Sequence, residues 1–218
     1  MPSKSIKKVL SFLWPIISKV ESQYNGTLEI SWYNGRKMLN SKNANYSYGK
    51  LQKVLVFGLS KMTFSKQAPV LILGLGGGSI IRPLRNRFGC TGKITAVECD
   101  EVVFKLSETE FDISKSGNVN KVLADAFTYV ENCNETYGLI IVDLFVDNIV
   151  PVAFYSIPFW ENLLAITQQG GSILFNAGLY IRGDSSILKV ASFLNEKAKV
   201  IILENVEDAN TLVLARFE

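Results

Sequence analysis

Histidine is absent from the 218 residues. The side chain that most often serves as general base and metal ligand is therefore missing, and every Ser-His-Asp or Cys-His mechanism is excluded. Proton transfer falls to Asp, Glu, Tyr, Lys or Cys. A metal would need carboxylates alone, and no tight cluster of them occurs, so no metal is expected. Cysteine is scarce: Cys90, Cys99 and Cys133 are an odd number at spacings that fit no zinc pattern. They read as reduced thiols, which points to a cytoplasmic protein. Neither sign of charge is in excess, with 23 Lys+Arg against 20 Asp+Glu for a net +3. No basic run breaks the chain, so no nucleic-acid surface is indicated. Long apolar runs are missing too. "VLSFLWPII", which follows Lys4, Lys7 and Lys8, is short, contains Pro15 and has no small-residue cleavage site after it. Neither a secretory leader nor a membrane anchor is read there. Ile6, Val9, Leu10, Leu13, Ile17 and Val20 instead fall near helical spacing and predict a packed amphipathic helix. A helix that docks on a membrane or a partner subunit is the alternative.

What is present describes one well-filled core: 48% of residues are apolar and 20% charged. "GTLEISWYNGRKMLN" alternates around Asn34-Gly35, a pair suited to the positive φ angles of a type I′ turn, so Gly26 to Asn40 is predicted as a β-hairpin. "NANYSYG" reads as a connector and Lys50 to Lys61 as a helix. From Pro69 onward, strand and helix alternate. Strands are predicted at 69–75, 93–99, 119–125, 137–143, 170–177, 198–205 and 210–217, with helices at 79–88, 101–108, 126–132, 158–168 and 184–196. Continuous apolar strands alternating with helices imply a parallel sheet covered on both faces. The connection from Val206 to Ala209 is too short for a crossover helix, so the last two strands must be antiparallel. The fold class is therefore α/β, a Rossmann-like sheet of the class I methyltransferase type, with seven strands and a terminal antiparallel pair. Residues 1–62 are expected to form an N-terminal unit of helix, hairpin and connecting helix, and residues 63–218 the cofactor-binding domain.

The glycine-rich elbow in "VLILGLGGGSIIRPL" ends the first core strand. Gly74, Gly76, Gly77 and Gly78 would let a ligand approach the backbone ahead of a helix N-terminus, whose free N–H groups suit an anion; a tight turn with no ligand is the plain alternative. Three acids end the next strands: Glu98 in "ITAVEC", Asp125 in "LADAF" and Asp143 in "LIIVD". Glu98 is placed to accept hydrogen bonds from ribose hydroxyls and Asp125 from an adenine amino group, although Asp125 also suits a helix N-cap. The elbow alone does not separate a nicotinamide from an adenosyl cofactor. The acid after the third strand and the terminal antiparallel pair favour the adenosyl cofactor.

"LILGLGGGSIIRPL … ITAVECDEVV … VLADAFTYV … YGLIIVDLF" resembles the spermidine synthase (polyamine aminopropyltransferase) family and its methyltransferase-like relatives, from about Tyr24 to Ala177. The resemblance implies that Gly74, Gly76 and Gly78 line the amino-acid end of the cofactor. It also places Glu98 at the ribose, Asp125 and Ala126 at the adenine, and Asp143 near the sulfonium. Tyr48 matches a tyrosine at the family's substrate entrance, and Tyr46, Tyr48 and Phe145 are candidate walls of an acceptor pocket. Two departures stand out. Aminopropyltransferases resemble one another in carrying an aspartate where this chain has Gly77, an acid that holds the amine of decarboxylated S-adenosylmethionine and would repel the carboxylate of the intact compound. After the fourth strand, "DLFVDNIVP" puts Val146 where the family has its proton-accepting aspartate, and Asp147 reaches that position only by a one-residue shift.

The expected activity is therefore that of an S-adenosylmethionine-dependent methyltransferase acting on a small-molecule substrate. Asp143 and Asp147 are the candidates to orient or deprotonate the acceptor. A true aminopropyltransferase using decarboxylated S-adenosylmethionine with Asp147 as base, and a degenerate binding or interaction protein, are the alternatives. By analogy with relatives, a homodimer is expected.

Overall fold

The computed structural model describes residues 4–42, 45–181 and 183–218. In chain order the elements are α1 (Lys4–Leu10), β1 (Ile16–Ser22), β2 (Gly26–Tyr33), β3 (Arg36–Asn40), β4 (Asn45–Ser47), α2 (Lys50–Ser60), β5 (Val70–Leu73), α3 (Ile81–Asn86), β6 (Ile94–Glu98), α4 (Glu101–Thr109), β7 (Val119–Leu123), α5 (Ala126–Glu131), β8 (Tyr137–Val142), α6 (Ile157–Ala165), β9 (Thr167–Leu179), α7 (Ser185–Asn195), β10 (Lys199–Val206) and β11 (Asn210–Arg216). Single 3₁₀ turns lie at Ile113–Ser116 and Val152–Tyr155.

Every residue of β5, β6 and β8 is buried, because strands covered on both faces have no polar side to alternate with. Successive side chains still point to opposite faces. Val70, Ile72, Leu139 and Ile141 enter one core layer, and Leu71, Leu73, Ile140 and Val142 enter the other. Each fully buried aliphatic side chain contributes roughly 1.5–3 kcal/mol relative to exposure. The seven-stranded sheet runs β10-β11-β9-β8-β5-β6-β7. β5 pairs in parallel with both β6 and β8, while β11 is antiparallel to β9 and to β10. Strand order reverses between β5 and β8, and the crevice beyond the carboxyl ends of strands at such a switch point is where open α/β sheets bind ligands.

The N-terminal segment departs from the sequence-based expectation. The helix predicted through Val20 stops at Leu10 and buries none of its residues. Ile16–Ser22 is instead the edge strand of a four-stranded antiparallel sheet, β1-β2-β3-β4. Pro15 has no N–H to donate and disfavours helical geometry at Trp14. Ile16, Ile17 and Val20 beyond it are β-branched and pair with Trp32, Ser31 and Leu28. The predicted hairpin is present: β2 and β3 meet at Asn34 (φ 48°) and Gly35 (φ 71°). No helix among the described residues is long and apolar enough to cross a membrane.

Candidate functional site

Strand register brings the acids together. Leu73 pairs with Val97 on one side and Val142 on the other, and Glu98 pairs with Leu123. Gly74, Glu98, Asp125 and Asp143 therefore emerge at one edge of the sheet. They line a single cavity of about 260 Å³ together with Gly76, Ala126 and Asp147. The charged residues around it are Lys50, Glu98, Asp125, Asp143 and Asp147, and its remaining wall is largely apolar, including Leu144, Phe145, Val146, Pro151 and Phe154.

Glu98, 4% exposed, works for the fold and faces the cavity at once. One carboxylate oxygen accepts the N–H of Gly76 at 2.9 Å and the other accepts the N–H of Asp100 at 3.0 Å. Burial pushes its pKa up, and these backbone bonds oppose the push. Each oxygen keeps a lone pair for a further donor. Asp125 likewise has two aspects. It caps α5 by accepting the Thr128 N–H at 2.9 Å, and it also lines the cavity.

Asp143, like Glu98, is an acid whose burial works against its ionised form. Desolvation raises its pKa from 3.8 to about 7, the Asn176 amide opposes the rise, and the nearby charge of Glu98 adds to it. The supporting residues were not foreseen from the sequence. Asn176 Nδ2 donates to Asp143 Oδ1 at 2.9 Å, and Asn210 Nδ2 donates to Asn176 Oδ1 at 2.9 Å. The register explains the chain. Phe175 pairs with Val142, which sets Asn176 level with Asp143, and Asn176 pairs with Leu212 beside a bulge that swings Asn210 in. A fully buried Asn inside "SILFNAG" was the available signal, since a buried amide needs partners.

Asp147 sits in a two-residue turn closed by backbone bonds between Val146 and Ile149 at 2.9 and 3.1 Å, with φ +55°. The N-terminal sheet fixes it from outside. Ser41 Oγ donates to its carboxylate at 2.6 Å, and its own N–H donates to Asn25 Oδ1 at 2.9 Å. Asn25 also donates to Asp100 at 3.4 Å, and Asp100 accepts a short hydrogen bond from Ser22.

The remaining candidates fall elsewhere. Gly77, Gly78 and Tyr48 are not among the residues that line the cavity. A Cβ at Gly77 would lie 2.9 Å from Ser47 Oγ and 3.2 Å from the Tyr48 ring, so this glycine is where β4 packs onto the elbow. A Cβ at Gly78 would run into Ile113 at 2.2 Å. The Tyr48 ring stacks on Phe111 at 4.8 Å, and burial pushes its hydroxyl up to about 12. The side chain of Tyr46 lies outside what the structure describes. Among the described residues, no group of three or more His, Cys, Asp or Glu could hold a metal ion.

Comparison with known proteins places these observations. Residues 50–203 match the spermine/spermidine synthase domain. The polyamine aminopropyltransferase of Thermoplasma volcanium is 28% identical over 137 residues, 61% of this chain and 48% of that protein. The eEF1A lysine and N-terminal methyltransferase of Xenopus laevis is 27% identical over 163 residues, 69% of this chain and 23% of that protein. This chain thus spans less than half the length of either relative. Among solved structures, human methyltransferase-like protein 13 in complex with SAH superposes with a TM-score of 0.64 at 21% identity, covering 78% of this chain and 83% of that one. Spermidine synthase from Thermotoga maritima gives 0.57 at 15%, covering 92% and 68%. The fold is that of class I S-adenosylmethionine-dependent methyltransferases.

Proposed function

Because this chain belongs to the spermine/spermidine synthase domain family, whose members are transferases, we propose that it is an S-adenosylmethionine-dependent methyltransferase. The observation that carries the reading is the charge distribution around the cavity. The elbow contributes Gly74, Gly76 and Ser79 to the cavity wall, with the Glu98 carboxylate engaged on the Gly76 N–H, and among the described residues Lys50 is the one cationic residue in the lining. An intact α-carboxylate suits that side, and Gly77 offers no acid against it. A side chain introduced at Gly77 would first have to displace the Ser47 and Tyr48 side chains that pack there.

The residues fit the cofactor. Glu98 retains acceptor capacity toward a ribose, Asp125 and Ala126 would meet the adenine, and Asp143, which lines the same cavity, would lie near the sulfonium. The bound cofactor supplies an electrophilic methyl group on a sulfonium. Asp143 accepts the proton that the attacking acceptor loses, and a pKa near neutrality suits that task. Asn176, held by Asn210, fixes the orientation of the Asp143 carboxylate through one of its oxygens. The apolar wall excludes water and holds the acceptor in line, a source of acceleration that needs no further catalytic group.

A second reading, aminopropyl transfer, has one observation in its favour: Asp147 lines the cavity. Titration calorimetry with S-adenosylmethionine and with its decarboxylated form separates the two. The intact compound is expected to bind at least ~10-fold more tightly, on the scale of one charge-assisted hydrogen bond. Tighter binding of the decarboxylated form would transfer the assignment to polyamine synthesis.

A further inference from the structure

The N-terminal helix is inside out. At about 100° per residue, Lys4 and Ser11 share one side of α1 and the turn that extends it, while Val9 and Leu13 lie on the opposite side. The helical path does reach that far, because the Leu13 and Trp14 N–H groups both donate to the Leu10 carbonyl at 3.0 Å. It is the polar side that meets the protein. Lys4 pairs with Asp112 at 2.9 Å. Buried Ser11 accepts the Gly35 N–H on its hydroxyl at 2.9 Å and the Asn34 N–H on its carbonyl at 3.0 Å. The Phe12 ring, seated where a Cβ at Gly35 would stand, adds a further hold on the hairpin turn. The apolar side faces outward, with Val9, Leu13 and Trp14 exposed at 68%, 83% and 77%. Neither core layer includes them. A helix on the surface of a globular protein ordinarily turns its apolar stripe inward. Here the reverse orientation is tied down at Asp112 and at the hairpin.

The charge around the stripe has one sign. Lys7 and Lys8 stand on the two flanks of the helix, between its anchored and its apolar sides. Arg36 follows the glycine beneath Phe12. Among the described residues, none of these three cations pairs with an acid. Asp112 and Glu110, the acids that tie this end of the chain to α4, are already taken by Lys4 and Lys37. A second copy is therefore a poor occupant, since pairing stripe on stripe would bring like charges together. An anionic lipid surface meets both demands, with acyl chains for the stripe and phosphates for the cations.

From this reversed polarity and its cationic border, we propose that α1 and the turn after it dock in the plane of an anionic lipid bilayer, holding the protein on the surface without crossing it. Val9 and Leu13 enter the acyl boundary, and the Trp14 indole sits at the level of the headgroups. Lys7, Lys8 and Arg36 meet the lipid phosphates. None of these residues lines the cavity, so the docking surface is separate from the cofactor site.

The test is co-sedimentation of the whole chain with vesicles of phosphatidylcholine, either alone or with about one-third phosphatidylglycerol. The anionic vesicles are expected to bind at least ~10-fold more tightly, a difference that raised salt should remove. Tryptophan emission should shift to the blue on binding, and Trp14→Phe should lose most of that shift. Lys7→Glu/Lys8→Glu should weaken binding to the anionic vesicles by at least ~10-fold. Leu13→Asp/Trp14→Asp should no longer sediment with them, and both double variants should melt with the parent. Equal affinity for the two kinds of vesicle, no binding to either, or binding that survives Leu13→Asp/Trp14→Asp would each overturn the inference. So would light scattering that finds a dimer which the same double variant breaks, because the stripe would then belong to a second copy.

Discussion

Asp143 combines a position at the sheet's switch point with a carboxyl group whose pKa lies at about 7. A carboxyl group raised in this way is protonated below neutrality and cannot accept a proton there. If it is the base, kcat/KM must climb as pH rises toward about 7 and level off above it. Asp143→Asn should lower kcat by about 100- to 10,000-fold and remove that limb from the profile. An unchanged limb in the variant would assign the titration to another group. Asn176 acts through Asp143, so its effect has a distinct signature. Its amide stabilises the ionised carboxylate, and Asn176→Ala should move the limb to higher pH by roughly one unit, equivalent to ~1.4 kcal/mol. A merely structural asparagine would lower kcat or stability and leave the limb in place. None of this coupling was legible in the sequence. Asp143, Asn176 and Asn210 are distant along the chain and meet only through the register of β8, β9 and β11, whereas Glu98, Asp125 and Asp143 announced themselves by ending apolar runs.

At the scale of elements, the junction of β5 and β8 depends on one glycine. Gly74 has φ +93°, and a Cβ there would sit 2.0 Å from the Asp143 carbonyl oxygen. Any side chain would push β8 away from the elbow and displace Asp143. Gly74→Ala should therefore destabilise the protein by ~2–4 kcal/mol, a melting-temperature loss on the order of 10 °C for a chain of this size. A variant that melts with the parent would show that the two strand ends can separate freely. The elbow's role as a bend was readable from its glycines. The division of labour among them was not, because Gly77 and Gly78 answer to Ser47, Tyr48 and Ile113 from remote parts of the chain. The central strands were legible because a doubly covered strand leaves a continuous apolar run. β1 was not, since Ile6, Val9, Leu10, Leu13, Ile17 and Val20 mimic a helical stripe across a proline that in fact divides helix from strand.

At the scale of the molecule, the N-terminal sheet shares its core with the large one. Leu28, Ile30 and Leu39 from the small sheet pack in one cluster with Ile72, Ile94, Leu139 and Leu174 from the large one, and α2 joins them through Val54, Leu55 and Leu59. Polar ties reinforce the contact, through Asn25 to Asp147 and through Ser22 and Asn25 to Asp100. Two sheets that bury their apolar faces in common cannot lose one without exposing the other. Calorimetry should accordingly record a single cooperative transition over the whole chain. S-adenosylmethionine at about 100 times its dissociation constant should move that transition upward as one unit, by ~2.7 kcal/mol or roughly 5–10 °C. Two separate transitions, with only the later one responding to the cofactor, would mean that the small sheet holds together by itself and that the fixing of Asp147 by Asn25 and Ser41 is lost before the site melts.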